Sequence, residues 1–473
     1  MYLWWACIVV AAASVEPHAK PSVFIYDART LAGLGHSGAL QGRTRHDLQQ
    51  YAFETTDRAG LMMFAGQDPD HGDAFIAAEA RRVLEIRWRD VVDIASSPDE
   101  ADVVLWLVWD YGLCPNGAAS TSVERDKGRL KASCSSHIDL LQRVMATDRW
   151  QRNGGRDHAF MVLQPHLWAQ VATLRALVDS PATLVVIEER RPPEARGNSS
   201  AVVMPYYAKP SGGLWARGNS SDVLMAYYAK RSLCSDVPRQ HFISYVDSLT
   251  CVRTHDNADL SSTAIRATVR SSLAQCATCV TRDILSVLGA GGGRHRCIHR
   301  NNWRGLNAKL DIGALYRASV FCPCPRGDSA HTKRLFSTLA AGCIPIIISD
   351  KMVLPFAGHV DLESAVLRIP EKAFSSRWRR RHFSLLDFLR NATGATPERP
   401  TTPAVERLQR AGARAVGALT FGHACRAPGP QCADAPPDAL DFLLRSTFDA
   451  LPIDVASPES FRRRFPQHWC ATN

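Results

Sequence analysis

No carboxylate follows Arg334 until Asp350, although that stretch adjoins a loop supplied with basic and hydroxyl side chains. The P-loop spacing GxxxxGK[ST] is also missing, which excludes the commonest nucleoside-triphosphate cradle. Helix-turn-helix, zinc-finger and RNA-binding aromatic signatures are absent, so only net charge speaks for nucleic acid. Beyond the N-terminal residues no apolar run is long enough to cross a bilayer. Cys276 and Cys279 form a CATC with Cys297, His295 and His299 nearby, but no second CxxC stands at zinc-site spacing. Structural disulfides are therefore the favoured reading, and no metal site is assigned.

What is present fits a folded chain. A hydrophobic fraction of 46% and a charged fraction of 22% are those of a globular protein, and 473 residues exceed one ordinary core, so two domains are expected. The formal charge of +10 is scattered. Its densest run, RWRRR at 377–381, reads as a solvated basic face or an anionic-glycan contact rather than a nucleic-acid site. The N-terminal MYLWWACIVVAAASVEP is too short for a comfortable span and suits a signal peptide or short anchor, giving possible membrane association there. Glycosylation triplets begin at Asn198, Asn219 and Asn391, and 13 cysteines follow Cys7; both suit a secretory lumen where most thiols pair.

The apolar pattern alternates strand and helix. SVFIY at 22–26, the apolar 102–108 and HAFMVLQ at 158–164 read as strands. The segments 73–90 and 137–149 read as helices, with a helix start in SSPDEAD. ARGNSSAVVMPYYAK at 195–209 returns as ARGNSSDVLMAYYAK at 216–230, a local duplication too short for a solenoid. Only one copy can hold the original strand position. A second series has strands at 241–246, 319–324, 343–349 and 365–370, and helices at 264–276, 333–342, 403–417 and 437–450. This order predicts an α/β fold of two mostly parallel halves joined near 232–240.

In such sheets ligands bind beyond the carboxyl ends of strands. PRGDSAHT at 325–332 occupies that place before a predicted helix. Arg326, Lys333 and Arg334 offer positive charge, Gly327 close backbone approach, and Ser329 and Thr332 hydroxyls, a set suited to a diphosphate. In the other half, Arg156, Asp157 and His158 form a compact polar cluster at a strand entrance. Asp157 or His158 could accept a proton as a general base, or could simply cap and anchor.

Beyond these features, FCPCPRGDS, the GCIPIII strand and the LPF that follows resemble the exostosin family of glycosyltransferases. SSPDEADVVLWLVW at 96–109, WQRNGGRDHAFMV at 150–162 and PDALDFLL at 437–444 are similar to further family segments. The resemblance implies a GT-B-like architecture of two Rossmann-like domains facing a cleft, and transfer from a UDP-sugar to a glycan or polysaccharide acceptor, usually with inversion, in the Golgi or ER lumen. The UDP-sugar is then a donor substrate, no cofactor is required, and nucleic acid is not a partner. The boundaries implied are a signal or anchor at 1–18, an acceptor-side domain at 19–235 with the duplicated loop 195–230, a nucleotide-sugar domain at 236–455 and a tail at 456–473. Arg326, Gly327, Ser329 and Arg334 match the family's diphosphate loop. The family helix carries an acid for the donor ribose where this chain has Ser337, so a non-catalytic glycan-binding relative with a degenerate donor site is the alternative. Asp247 replaces a usual turn glycine, and Pro165 an expected Asp.

Overall fold

The computed structural model describes residues 20–26, 80–106, 141–161, 176–186, 201–203, 239–247, 262–283, 312–332, 334–419 and 436–462, except positions 82, 143, 178, 328, 329 and 375. These residues form two all-parallel sheets flanked by helices, the α/β layout of a two-domain GT-B-like fold. The first sheet comprises β1 (Ser22–Tyr26), β2 (Asp93–Ile94), β3 (Val103–Trp106), β4 (His158–Met161), β5 (Thr183–Val186) and β6 (Ala201–Val203), in the order β2-β1-β3-β4-β5-β6. The second comprises β7 (His241–Asp247), β8 (Cys279–Asp283), β9 (Ser319–Pro325), β10 (Ile344–Ile348) and β11 (Leu367–Arg368), in the order β11-β10-β9-β7-β8. Parallel strands covered on both faces must be apolar throughout, and β3, β5, β9 and β10 are buried at every residue.

The described helices are α1 (Asp148–Asn153), α2 (Ser262–Ser272), α3 (Ile312–Arg317), α4 (Arg334–Ala340), α5 (Arg377–His382), α6 (Leu385–Thr393), α7 (Pro403–Ala418) and α8 (Ala439–Asp449). Two local expectations are corrected. The helix expected over 137–149 breaks at Thr147, whose hydroxyl accepts from the Trp150 amide and so caps a new helix, α1, outcompeting continuation. SSPDEAD makes no helix start but a turn, in which Ser96 donates to Glu100 over 2.5 Å. The first copy of the duplication supplies β6, paired in register with β5; the second copy lies outside the described residues. Cys276 and Cys279 are disulfide-bonded, as are Cys322 on β9 and Cys343 just before β10. Among the described residues no helix is long and apolar enough to cross a membrane.

One hydrophobic cluster joins the first sheet to elements of the C-terminal half, running from Val23 and Leu105 to Leu335, Ile347, Leu440 and Phe448. Helix α8 is central to it. Asp438 caps α8, accepting from the Leu440 amide, while Asp441 reaches back to the Asp438 amide in a capping box. The other side of Asp441 faces the helical stretch 80–87. Its carboxylate takes the Trp88 Nε1–H at 3.0 Å and lies 2.9 Å from Arg87 Nη1, both side chains of the ion pair being fully buried. Trp88 also packs against Phe448 and Phe461, and burying each such side chain is worth about 1.5–3 kcal/mol. Burial, then the adjacent Asp438 carboxylate, pushes the Asp441 carboxyl up to about 7, with Arg87 and Trp88 pulling it down. Removing one member of such a pair strands the other in the core. Asp441→Ala should destabilise the chain by about 3–5 kcal/mol in guanidinium unfolding, and Asp441→Asn, which keeps an acceptor for Trp88, by less.

Candidate functional site

The order of the second sheet reverses between β7 and β9: the chain runs outward from β7 to β8 on one side and from β9 to β10 and β11 on the other. A crevice at the carboxyl ends of these two strands is the place where doubly wound sheets hold ligands. Here the local sequence opens it. The β7–β9 ladder stops at Ile243↔Phe321, whereas β7 stays paired with β8 through Asp247 and β9 with β10 through Pro325. The second half of β9 reads CPCP. Pro323 and Pro325, two residues apart, remove amide donors on one side of the strand; since the β10 ladder is complete, that side is the one facing β7.

Charged groups converge on the opening. Asp247, the last residue of β7, is buried and accepts from the Tyr245 hydroxyl at 2.5 Å. Its Oδ1 lies 3.3 Å from Arg266 on α2 and 3.7 Å from Arg334, the first residue of α4. The Arg334 guanidinium also sits over the Tyr245 ring, 5.4 Å from its centroid. Burial disfavours the Arg334 cation, but Tyr316, Tyr245 and Asp247 around it more than offset that and hold it charged. The same setting drives the Tyr245 hydroxyl well above its ordinary pKa, through burial first and Asp247 second. Just after β9, Arg326 pairs with Glu371 at 3.4 Å and its carbonyl accepts from Arg266 at 3.2 Å. Glu371 and Asp350 bracket one another, each carboxylate accepting the other's amide.

The buried polar atoms of this region with no hydrogen-bond partner among the described residues include Arg334 Nη1, and Ser349 Oγ just beyond β10. Unsatisfied buried donors are costly, and at the rim of a crevice they fit an oxyanion ligand. Of the expected loop residues, Arg326 and Arg334 are thus brought together. The Gly327 amide bonds to the His331 carbonyl at 3.4 Å, and the Thr332 hydroxyl accepts from the Arg334 amide, opening α4. Ser337 lies half-buried one turn beyond Arg334, on the same helix face. Ser329 and Lys333 lie outside the described residues, as does Pro165. Gly342 ends the α4 turn at φ 69°, where a side chain would be strained, and sends the chain into β10. Cys324 beside the Cys322–Cys343 bridge is a free thiol whose pKa burial raises to about 11, so it is no nucleophile.

Asp157 and His158 sit elsewhere, at the amino edge of β4, opposite the end where ligands bind. Asp157 is 4% exposed and meets Arg149 at 2.7 Å, the His158 Nδ1 at 2.7 Å and the Asn153 side-chain amide at 2.6 Å. The His158 ring, 1% exposed, packs against Trp150 and stacks on Phe160. Arg149 in turn donates to the carbonyls of Pro98 and Asp102, tying α1 to the start of β3. The two glycines of GGRDH serve the same knot. Gly154 caps α1 at φ 60°, and a Cβ on Gly155 would come within 2.5 Å of Trp150. These contacts support the anchoring reading of the cluster. At the ligand-facing ends of β1 and β3 stand Tyr26 and Trp106, ring centroids 5.2 Å apart; the segments that follow both strands are outside the described residues.

Neither motif nor spacing in the sequence marks Tyr245, Arg266, Ser349 or Glu371 as candidates for this site. Asp247 alone carried a signal, as a departure from a glycine turn.

The chain is similar in sequence to known proteins. The Exostosin GT47 domain family matches residues 86–381. The chain is 32% identical over 87 residues to an "Exostosin-1 homolog" of Caenorhabditis elegans, covering 16% of this chain and 23% of the relative. It is 33% identical over 82 residues to a "Probable glucuronoxylan glucuronosyltransferase IRX7" of Arabidopsis thaliana, 17% of each chain. It is 41% identical over 54 residues to a "Probable beta-1,4-xylosyltransferase IRX10" of the same plant, 11% of this chain and 13% of the relative. The matches therefore span less than a quarter of these relatives' own length.

Burial raises the Asp157 carboxyl, but bonds from His158 and Asn153 and the Arg149 charge outweigh it, so its pKa lies below the ordinary value. Its stabilising contribution is complete above the unfolded value of roughly 3.9 and is lost as pH falls through the lower folded value. Asp157→Asn should therefore be markedly less stable than the parent at pH 7, and the gap should shrink as pH falls towards 3, read by urea unfolding across that range.

Proposed function

This chain belongs to the exostosin GT47 family of glycosyltransferases, and from that premise we propose that it transfers a sugar from a UDP-sugar to a glycan or polysaccharide acceptor, with inversion, in the lumen of the Golgi or ER. The observation that carries the proposal is the convergence of Arg266, Arg326 and Arg334 on the opened β7–β9 crevice, with buried Arg334 Nη1 and Ser349 Oγ unsatisfied. A leaving nucleoside diphosphate gains negative charge as the glycosidic bond breaks. Fixed guanidinium groups in a low-dielectric crevice stabilise that charge without reorganising. Arg334 is best placed for it, because Asp247 and Tyr245 hold its orientation and keep it charged. Asp157 and His158 contribute by anchoring α1 and β4 in the acceptor-side sheet.

A second reading, a glycan-binding relative with a weakened donor site, rests on Ser337. At the position where the family resemblance expects a ribose-binding acid, a neutral hydroxyl loses about 1–2 kcal/mol relative to a charge-assisted bond, near tenfold in affinity. That weakens a donor site without abolishing it.

Calorimetric titration separates the two readings. The folded chain should bind UDP, and Arg334→Gln should weaken that binding by at least about tenfold, the loss of one charged hydrogen-bonding partner. Ser337→Glu should strengthen UDP binding by about the same factor. No UDP binding by the folded parent chain, together with none by Ser337→Glu, would overturn the transferase reading.

A further inference from the structure

Helix α5 carries a surface that the donor crevice does not use. Its sequence is RWRRRH, with no acidic residue in its first turn and no buried residue. Trp378 is 68% exposed, the one large hydrophobic side chain so exposed among the described residues. Its indole lies against the His382 ring, centroids 4.4 Å apart, one turn along. The helix is firmly seated. Ser376 caps it by accepting from the Arg379 amide, Arg379 donates to the Lys372 carbonyl at 3.0 Å, and Arg380 donates to the Phe374 carbonyl at 2.8 Å. Those bonds fix α5 against the turn Glu371–Phe374. Arg377 and Arg381, four residues apart, are left exposed on one face beside the Trp378–His382 pair.

This arrangement is unfavourable for the helix by itself. Like charges at i,i+4 destabilise, and the cation in the first turn opposes the dipole, although the basic residues of the last turn complement it. Hydrating an exposed indole adds to the cost. A polyanion with apolar faces would offset both the charge repulsion and the indole's exposure.

We propose that α5 is a docking surface for an acidic polysaccharide, Trp378 taking the C–H face of a sugar ring and Arg377 and Arg381 its carboxylate or sulfate groups. The position supports this: α5 is bonded to the turn whose Glu371 pairs with Arg326, so it is tied to an element that also contacts the crevice. The choice of a sugar polymer among polyanions rests on the glycosyl-transfer reading; the basic, aromatic surface does not. A membrane is the weaker partner, since a six-residue helix is only about 9 Å long and offers one side chain to insert. Nucleic acid lacks any longer basic stripe among the described elements.

The test uses the full chain and fluorescence anisotropy with labelled polygalacturonate and sulfated glycosaminoglycan oligomers. Neutral dextran, phosphatidylserine vesicles and a single-stranded oligonucleotide serve as competitors. An acidic oligomer should bind with salt-dependent affinity and dextran should not compete. Arg377→Gln with Arg381→Gln should weaken binding about tenfold and flatten the salt dependence. Trp378→Ala should weaken it about threefold with the salt dependence unchanged. All three positions are exposed, and an unaltered unfolding midpoint checks that the variants fold. Binding unchanged in both variants, or tighter binding to vesicles or the oligonucleotide than to either acidic oligomer, would overturn the proposal. Parallel UDP titration keeps the two readings apart. Oligomer binding without UDP binding sinks the donor site alone, and UDP binding without oligomer binding sinks the docking surface alone.

Discussion

The buried contact of Arg87 and Trp88 with Asp441 fixes where the two halves of this chain meet. Its partners are 353 residues apart for the tryptophan bond, and neither side of the ion pair touches water. A pair so placed adds little net stability, because desolvating both charges consumes most of their attraction. What it does is penalise other arrangements: a shift of α8 that parted the pair would leave a buried charge alone. The surrounding apolar packing, from Leu440 to Phe448, supplies the energy, and the polar contact selects the arrangement that energy stabilises. Asp441 also closes its own helix cap, so a single side chain couples the start of α8 to the other half.

A second constraint follows from the first sheet's partner. A five-stranded parallel sheet with a full ladder between β7 and β9 would present a closed edge. Two prolines in β9 stop that ladder early, and the ends of β7 and β9 are left to diverge around Asp247 and Arg326. The Cys322–Cys343 bridge keeps the other side of β9 firmly attached to β10. The opening is thus directed towards β7, where the arginines lie.

Much of this was legible beforehand. Runs such as SVFIY, HFISY and CIPIIIS, short and rich in β-branched and aromatic residues, read as buried strands, and the loop after β9 is a candidate by the rule that ligands sit beyond strand ends. The same rule, applied to Asp157 and His158, places them before their strand and so at the far edge. Adjacency of two titratable residues in sequence suggested chemistry, while strand direction, equally readable, suggested a knot. Thr147 followed by Asp148 was likewise a cap signal hidden within a longer helical pattern. Arg266 and Glu371 were not accessible in this way. Each comes from an element distant in sequence, and only the sheet order brings them to Asp247 and Arg326.

The two departures from the family pattern meet at one guanidinium. Relative to the pattern that the resemblance implies, the chain carries an added carboxylate at Asp247 and lacks one at Ser337, and both positions neighbour Arg334, the first across 3.7 Å and the second one helical turn away. An acid at 337 would stand beside Asp247 as a second anion near Arg334. With serine there, the charge around Arg334 matches that of a site with a turn glycine and a helix acid. The equivalence is electrostatic only. Asp247 is 2% exposed and already engaged by Tyr245 and Arg266, so it cannot offer a ribose hydroxyl what an acid on the helix surface could. On the proposed donor reading, the exchange would spare the contact with a diphosphate and sacrifice the contact with the sugar of the nucleotide.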